Sequence, residues 1–373
     1  MEFFLFNKSF WRRHKKKILV SLGVAGTGYF LYKLYDAHKH RLAELESELA
    51  VRRENDESIK AQMQEHFETI QRIASTTTLP RAMNFLSTRI NEELNLSVLT
   101  ERLKQGKDVL TLPEKLELWD KLKVLSFTKL VTSIWSVTML SLFVRVQVNI
   151  LGRHLYIDIA RCQESSPLLE EASLIDQDDE QIFLARADFL ASHGLPALVF
   201  NMQAAASEVL KSKQLKDVFD HLILHETIVQ VLDTFMSMGR PHHWMEYLLP
   251  EDAKLPSLTA SQSGDNLIIS DVPKFDQLMT ETHTVLSSNE FTNVVDVSLK
   301  TLVNAIVRDI FVDQSGAGSH SSGMALVKLV PRVAQMSQLL LDEPSSNQFV
   351  QTIKNIQDVE LFFTILYANA LTV

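Results

Sequence analysis

Cysteine is nearly missing: Cys162 is the single one in 373 residues. An intrachain disulfide and a Cys-rich zinc motif are therefore both excluded, and a domain facing a reducing compartment fits. Glycine and proline are scarce too, at eleven and ten, which rules out a repetitive or low-complexity chain and leaves a folded body of one large or two ordinary domains. Positive charge is short overall, with a formal net charge of −9. The cations of residues 1–17 (Lys8, Arg12, Arg13, Lys15, Lys16 and Lys17, against Glu2) leave the remainder at about −14. A body so acidic is no nucleic-acid partner.

What is present begins at that basic end. After Lys17, residues 18–32 carry no charge, and as a helix they cover roughly 22 Å at ~1.5 Å per residue. The hydrocarbon core is ~30 Å thick, but Lys17 and Lys33 can snorkel, and Trp11, Tyr29, Tyr32 and Tyr35 suit the interfaces. A cleavable signal peptide needs small residues where Tyr29, Phe30, Leu31 and Tyr32 stand. Gly23, Gly26 and Gly28 argue against a soluble core helix, since each costs about 1 kcal/mol there. The expectation is a retained anchor at 18–35 behind a basic segment at 1–17, with a helical domain from 36 to 373.

Beyond the anchor, helical periodicity runs almost throughout, without convincing strand pairs. Leu42, Leu45 and Leu49, then Ile59, Met63, Phe67 and Ile70, recur at spacings of three and four. Pro80 opens a further helix, and the run from Glu114 to Leu151 holds neither Gly nor Pro. That run is apolar on all sides after Val124, as a bundle's central helix or a second membrane span would be. Only fifteen uncharged residues separate Lys129 from Arg145, several of them Ser or Thr, which favours the buried helix. Later helices end at Gly194 and at Gly239 before Pro241, and residues 250–273 and 313–323 read as surface loops. The expected fold is all-α: one large helical bundle with long helices, preceded by one N-terminal transmembrane helix.

Signatures of catalysis do not assemble. His221 and His225 lie four apart with Glu226 beside them, outside the HExxH order, so a polar helix face is the simpler reading and no metal is assigned. The Ser- and Gly-rich run 315–323 lacks the Gly-Lys-Ser/Thr of a phosphate loop. Asp178, Asp179 and Glu180 suit a helix N-terminus without any chemistry. No nucleophile, base and oxyanion donor come together, and no cofactor is implied.

The unusual segment is the start of the long helix. Leu116, Trp119, Leu122 and Lys123 form one stripe, with Leu118 and Val124 on other faces. On spacing alone Trp119 is either core or a groove wall. In the second reading Trp119 and Leu122, with Leu103 of the preceding helix, receive the apolar face of a partner helix, and Lys104, Lys115 and Lys123 form the rim. A Trp among lysines suits an acidic amphipathic peptide.

Three stretches together resemble a known family: the basic run and anchor at 12–35, "KLELWDKLKVLSFTK" at 115–129, and "RVQVNILGRHLYID" at 145–158. They are similar to the peroxisomal biogenesis factor 3 (peroxin-3) family, in the wording of a plant member, with "ALVKLVPRVAQMSQLLL" at 325–341 as the best later match. The resemblance implies an all-helical docking receptor, anchored in the peroxisomal membrane by one span, with its domain in the cytosol. Its partner is the N-terminal amphipathic helix of peroxin-19, the soluble carrier of new peroxisomal membrane proteins. The implied groove residues are Trp119, Leu122 and Lys123, with Thr100, Leu103, Lys104, Lys115 and Lys328 beside them. The positive-inside rule would instead keep the basic N-terminus in the cytosol. That rule describes translocon insertion, so the family topology is followed, and residues 38–41 add charge on the far side of the span. A membrane-anchored enzyme or lipid-binding protein using the apolar interior is the alternative class, disfavoured because no catalytic constellation is present.

Overall fold

The computed structural model describes residues 58, 61–62, 64–106, 110–164, 177–250, 274–312, 323–342 and 347–368. The expected anchor at 18–35, the basic segment at 1–17 and most of both expected surface loops lie outside these residues. The chain divides into Met1–His66 and Phe67–Val373, and the second unit is the body described here.

Eleven helices account for nearly all of the described body. They are α1 (Leu79–Glu93), α2 (Ser97–Gln105), α3 (Leu112–Glu164), α4 (Gln177–Ala185), α5 (Leu195–Leu210), α6 (His221–Met236), α7 (Lys274–Leu286), α8 (Asn289–Val312), α9 (Leu326–Leu339), α10 (Gln348–Lys354) and α11 (Gln357–Ala368). One strand pair, which periodicity did not reveal, joins β1 (Val218–Phe219) to β2 (Met324–Ala325) in antiparallel register, with Val218 opposite Ala325. Two residues per strand are too few for an alternating pattern to register.

The centre of the bundle is α3, whose 53 residues extend roughly 80 Å at ~1.5 Å per residue. Helices α1, α5, α8, α9 and α11 all pack against it. From Ser126 to Ile150 every residue of α3 is buried, which accounts for its lack of a polar face. Its Ser and Thr side chains are small enough to admit close neighbours, and Thr128, Ser133 and Thr138 return their hydroxyls to the carbonyl four residues back. By length and composition two described helices could cross a membrane, Leu112–Ile157 and Asp178–Leu210. The apolar window of the first is 94% buried inside the protein, as a core helix requires.

Two glycines and two prolines behave differently from their usual meaning. Gly152 does not break α3; a Cβ there would collide with Ile70, so the glycine lets the helical residues 67–73 approach. Gly194 does not end a helix either. A π turn, Leu190–Gly194, leads without interruption into α5, and the backbone of Tyr247 lies where a Cβ of residue 194 would stand. A second π turn, Ala74–Thr78, precedes α1 in the same way. Each π turn lies just before a proline, Pro80 or Pro196. Proline offers no N–H and crowds the carbonyl four residues back, here that of Thr76 or Ser192, and a widened turn accommodates both defects.

Candidate docking site

At the N-terminal end of α3 the chain builds a partly open apolar surface from several separate segments. Thr111 starts the helix: its amide and its hydroxyl both donate to Glu114 Oε2, at 2.8 and 2.7 Å. These two bonds, the side-chain one foremost, hold the Glu114 carboxyl below its usual range. Pro113 takes an early position where its missing N–H costs nothing. One turn on, Glu117 is likewise lowered by its 2.7 Å bond from Lys121.

The face above this start is apolar and open. Leu112 is 74% exposed and Leu116 51%, while Trp119 is half-buried next to them on the same helix face. On the inner side Leu118 and Leu122 are buried, each 6% exposed. Helix α2 packs against α3 and contributes Thr100 and Leu103, both half-buried, with Lys104 and Val98 exposed. The Thr100 hydroxyl is turned back to the Leu96 carbonyl at 2.9 Å. Lys115 is half-buried.

Lys123 differs from the expected rim. It is buried, and its Nζ donates to the carbonyls of Lys213 (2.8 Å) and Leu210 (3.4 Å) while standing 3.1 Å from Asp120 Oδ1. Carbonyls at the end of a helix lack intrahelical donors, so a cation is favoured there. Lys123 thus clamps the segment that follows α5 onto α3. The same segment receives α9: Val327 N donates to Leu215 O at 3.0 Å and Leu326 N to Asp217 O at 2.9 Å. Lys328, exposed in the first turn of α9, is brought to this pole by those bonds. Leu122 is also more buried than a groove floor open to water would be, because α3 is already enclosed from that turn onward.

The structure therefore gathers Thr100, Leu103, Lys104, Lys115, Trp119, Leu122 and Lys123 around the start of α3, and ties the α9 turn that carries Lys328 to the segment Lys123 holds. Sequence reasoning missed the exposed Leu112 and Val98, and Val218 and Leu222, both 61% exposed beside the strand pair. Leu112 continues the Leu116 stripe by four residues and was findable on that spacing. Val218 was not, since its strand partner is more than a hundred residues away.

Other candidate chemistry is dispersed. His221 is exposed beside the ring of Phe311, and His225 is half-buried instead of lying fully on a polar face, with Nε2 shielded from solvent. Among the described residues no group of three or more His, Cys, Asp or Glu could hold a metal. A cleft of about 440 Å³ lies away from Trp119, between α6 and α8, lined by Leu232, Asp233, Trp244, Asp296 and Lys300 among others.

The family profile described as peroxin-3 matches residues 108–369, which include the whole of α3. The chain belongs to the peroxin-3 family. It is 55% identical to peroxisome biogenesis protein 3-2 of Arabidopsis thaliana over 365 residues, covering 98% of this chain and 99% of that one. Identity to peroxisome biogenesis protein 3-1 of the same plant is 51%, covering 97% and 98%. To peroxisomal biogenesis factor 3 of Homo sapiens it is 26%, covering 96% and 95%. As a member of this family the chain is a helical adaptor and not an enzyme.

Proposed function

We propose that the chain is a docking receptor for peroxin-19, held in the peroxisomal membrane by a single span at residues 18–35 with its helical domain in the cytosol. The N-terminal amphipathic helix of the carrier lies across the start of α3, its apolar face against Trp119, Leu116 and Leu103. The observation that carries this reading is the half-buried Trp119 next to the largely exposed Leu116 and Leu112. Apolar side chains left open to water in a row on one helix are the ordinary form of a helix-accepting surface. Lys104, Lys115 and Lys328 supply positive charge for an acidic helix, while Lys123 shapes the site from beneath. Docking delivers membrane proteins carried by peroxin-19 to the bilayer, where they are inserted, and peroxisome assembly depends on it.

Site-specific photo-crosslinking tests this placement. A photoreactive side chain at position 116 of the full chain in detergent should capture the N-terminal helix of peroxin-19. The same group at position 361, an exposed apolar position on α11, should not. Equal capture at both positions, or none at 116 while binding is saturated, would remove the assignment.

A further inference from the structure

Far along α3 from Trp119, three elements enclose a narrow cleft. Gln71, Ala74, Ser75 and Leu79 come from the helical lead into α1, Ser141, Val144 and Arg145 from α3, and Val350, Ile353 and Lys354 from α10. The cleft encloses only about 20 Å³, room for one oxygen-sized group at its base. Its lining brings one amide, two hydroxyls and two cationic side chains together, and three of their atoms lack a partner. Arg145 is more than nine-tenths buried, and its Nε donates to Gln71 Oε1 at 2.8 Å. That bond fixes the Gln71 amide with its oxygen towards the guanidinium, because the opposite orientation would set donor against donor. Consequently Gln71 Nε2 and Arg145 Nη1, together with Ser141 Oγ, are buried without a partner among the protein's own atoms.

Two buried N–H donors and a buried hydroxyl on residues that line one cleft call for a partner that can accept. The Phe363 ring, 4.1 Å from the Arg145 guanidinium carbon, satisfies one face of the cation but accepts no hydrogen bond in its plane. Burial lowers the Arg145 pKa to about 10, opposed by the field of Glu360, so the group stays charged at neutral pH. Glu360 itself is exposed on α11 and does not line the cleft. Lys354 adds a second cation to the lining, and no carboxylate does. The π turn Ala74–Thr78 begins within this wall, and such turns recur at functional sites.

We propose that this cleft binds one oxyanionic group, a carboxylate or phosphate, which enters with a single oxygen between Arg145, Gln71 and Ser141 while Lys354 balances the remaining charge. The group belongs either to a small free anion or to an acidic lipid headgroup. Both present the same chemistry to the donors, with charge-assisted bonds as the source of affinity.

Melting curves of the full chain in phosphatidylcholine nanodiscs test this, with sodium phosphate or sodium acetate titrated at constant ionic strength. The melting midpoint should rise saturably with either anion. The half-saturating concentration should increase about ten-fold in Ser141→Ala and in Lys354→Ala, each of which removes one donor. Both variants should fold, since Ser141 loses only an unpartnered hydroxyl and Lys354 is half-buried at most. If the group is borne by a lipid, discs containing phosphatidic acid will raise the midpoint and suppress the response to added phosphate; if it is free, phosphate will act equally in both discs. The proposal is overturned if no arm gives a saturable response, as when a water molecule alone satisfies the donors. It is also overturned if wild type and both variants respond alike, which is a general salt effect. Neither result depends on the docking role of Trp119.

Discussion

Lys123 Nζ lies 2.8 Å from the backbone carbonyl of Lys213, ninety residues later in the chain. A side chain one turn beyond Trp119 thus fastens the α5–α6 connection to α3, and through that connection the first turn of α9. This pole of the body is organised from its buried side by a cation whose bonds are all internal to the protein.

Replacing that cation tests its role. Lys123→Met keeps most of the volume but takes the Nζ donor from the Lys213 carbonyl, while Leu210 keeps its bond from the Lys213 amide, so stability should fall by about 1 to 3 kcal/mol. Hydrogen exchange across residues 211–217 should quicken. A lysine acting at the rim would show the opposite pattern: an unchanged melting curve, with slower and less salt-dependent association of the carrier.

Trp119→Ala should separate docking from folding. A central aromatic anchor costs about 2 to 4 kcal/mol of binding when truncated, or roughly thirty-fold to a thousand-fold in affinity. Because Trp119 is only half-buried, its loss of stability should stay below the ~3 to 5 kcal/mol of a fully buried aromatic. Binding isotherms beside melting curves decide the matter; a folded variant that binds peroxin-19 normally would exclude Trp119 from the site.

Trp135 is the matching control. It is fully buried, edge-on to Phe235 at 5.6 Å and to Tyr247 at 6.0 Å, and its Nε1 has no partner. Trp135→Ala should cost about 3 to 5 kcal/mol by denaturant unfolding. Trp135→Phe should cost much less, because the cavity is smaller and an unpartnered indole N–H is removed with it. Carrier affinity of the folded Phe variant should not change.

Acid sensitivity should trace in part to His243, whose ring packs against Phe235 and Tyr247. Burial lowers its pKa below 6.5, outweighing Glu246 and the backbone of Arg240, which act in the other direction. The unfolded chain therefore binds the proton more readily than the folded one. Stability should be full above about pH 6.5 and decline as the pH falls from there through the lowered value. His243→Leu should flatten that part of the profile when melting midpoints are followed between pH 7.5 and pH 5; an unaltered slope would assign the acid sensitivity elsewhere.

Composition and periodicity were enough for the all-α class, the long central helix and the segments around Trp119, because helix formation and amphipathic patterning are local properties that recur every three or four residues. The same local view could not tell a rim lysine from an internal clamp at Lys123, since burial of a charged group depends on the partners that reach it, here carbonyls from ninety residues away. It read Gly194 as a helix end, whereas tertiary packing uses it as a point of close approach to the backbone of Tyr247, as it uses Gly152 towards Ile70. Nor could it pair Val218 with Ala325, or set Gln71 against Arg145. Which face of a helix is covered, and by what, is decided only when distant segments compete for it, and that competition carries no period along the chain.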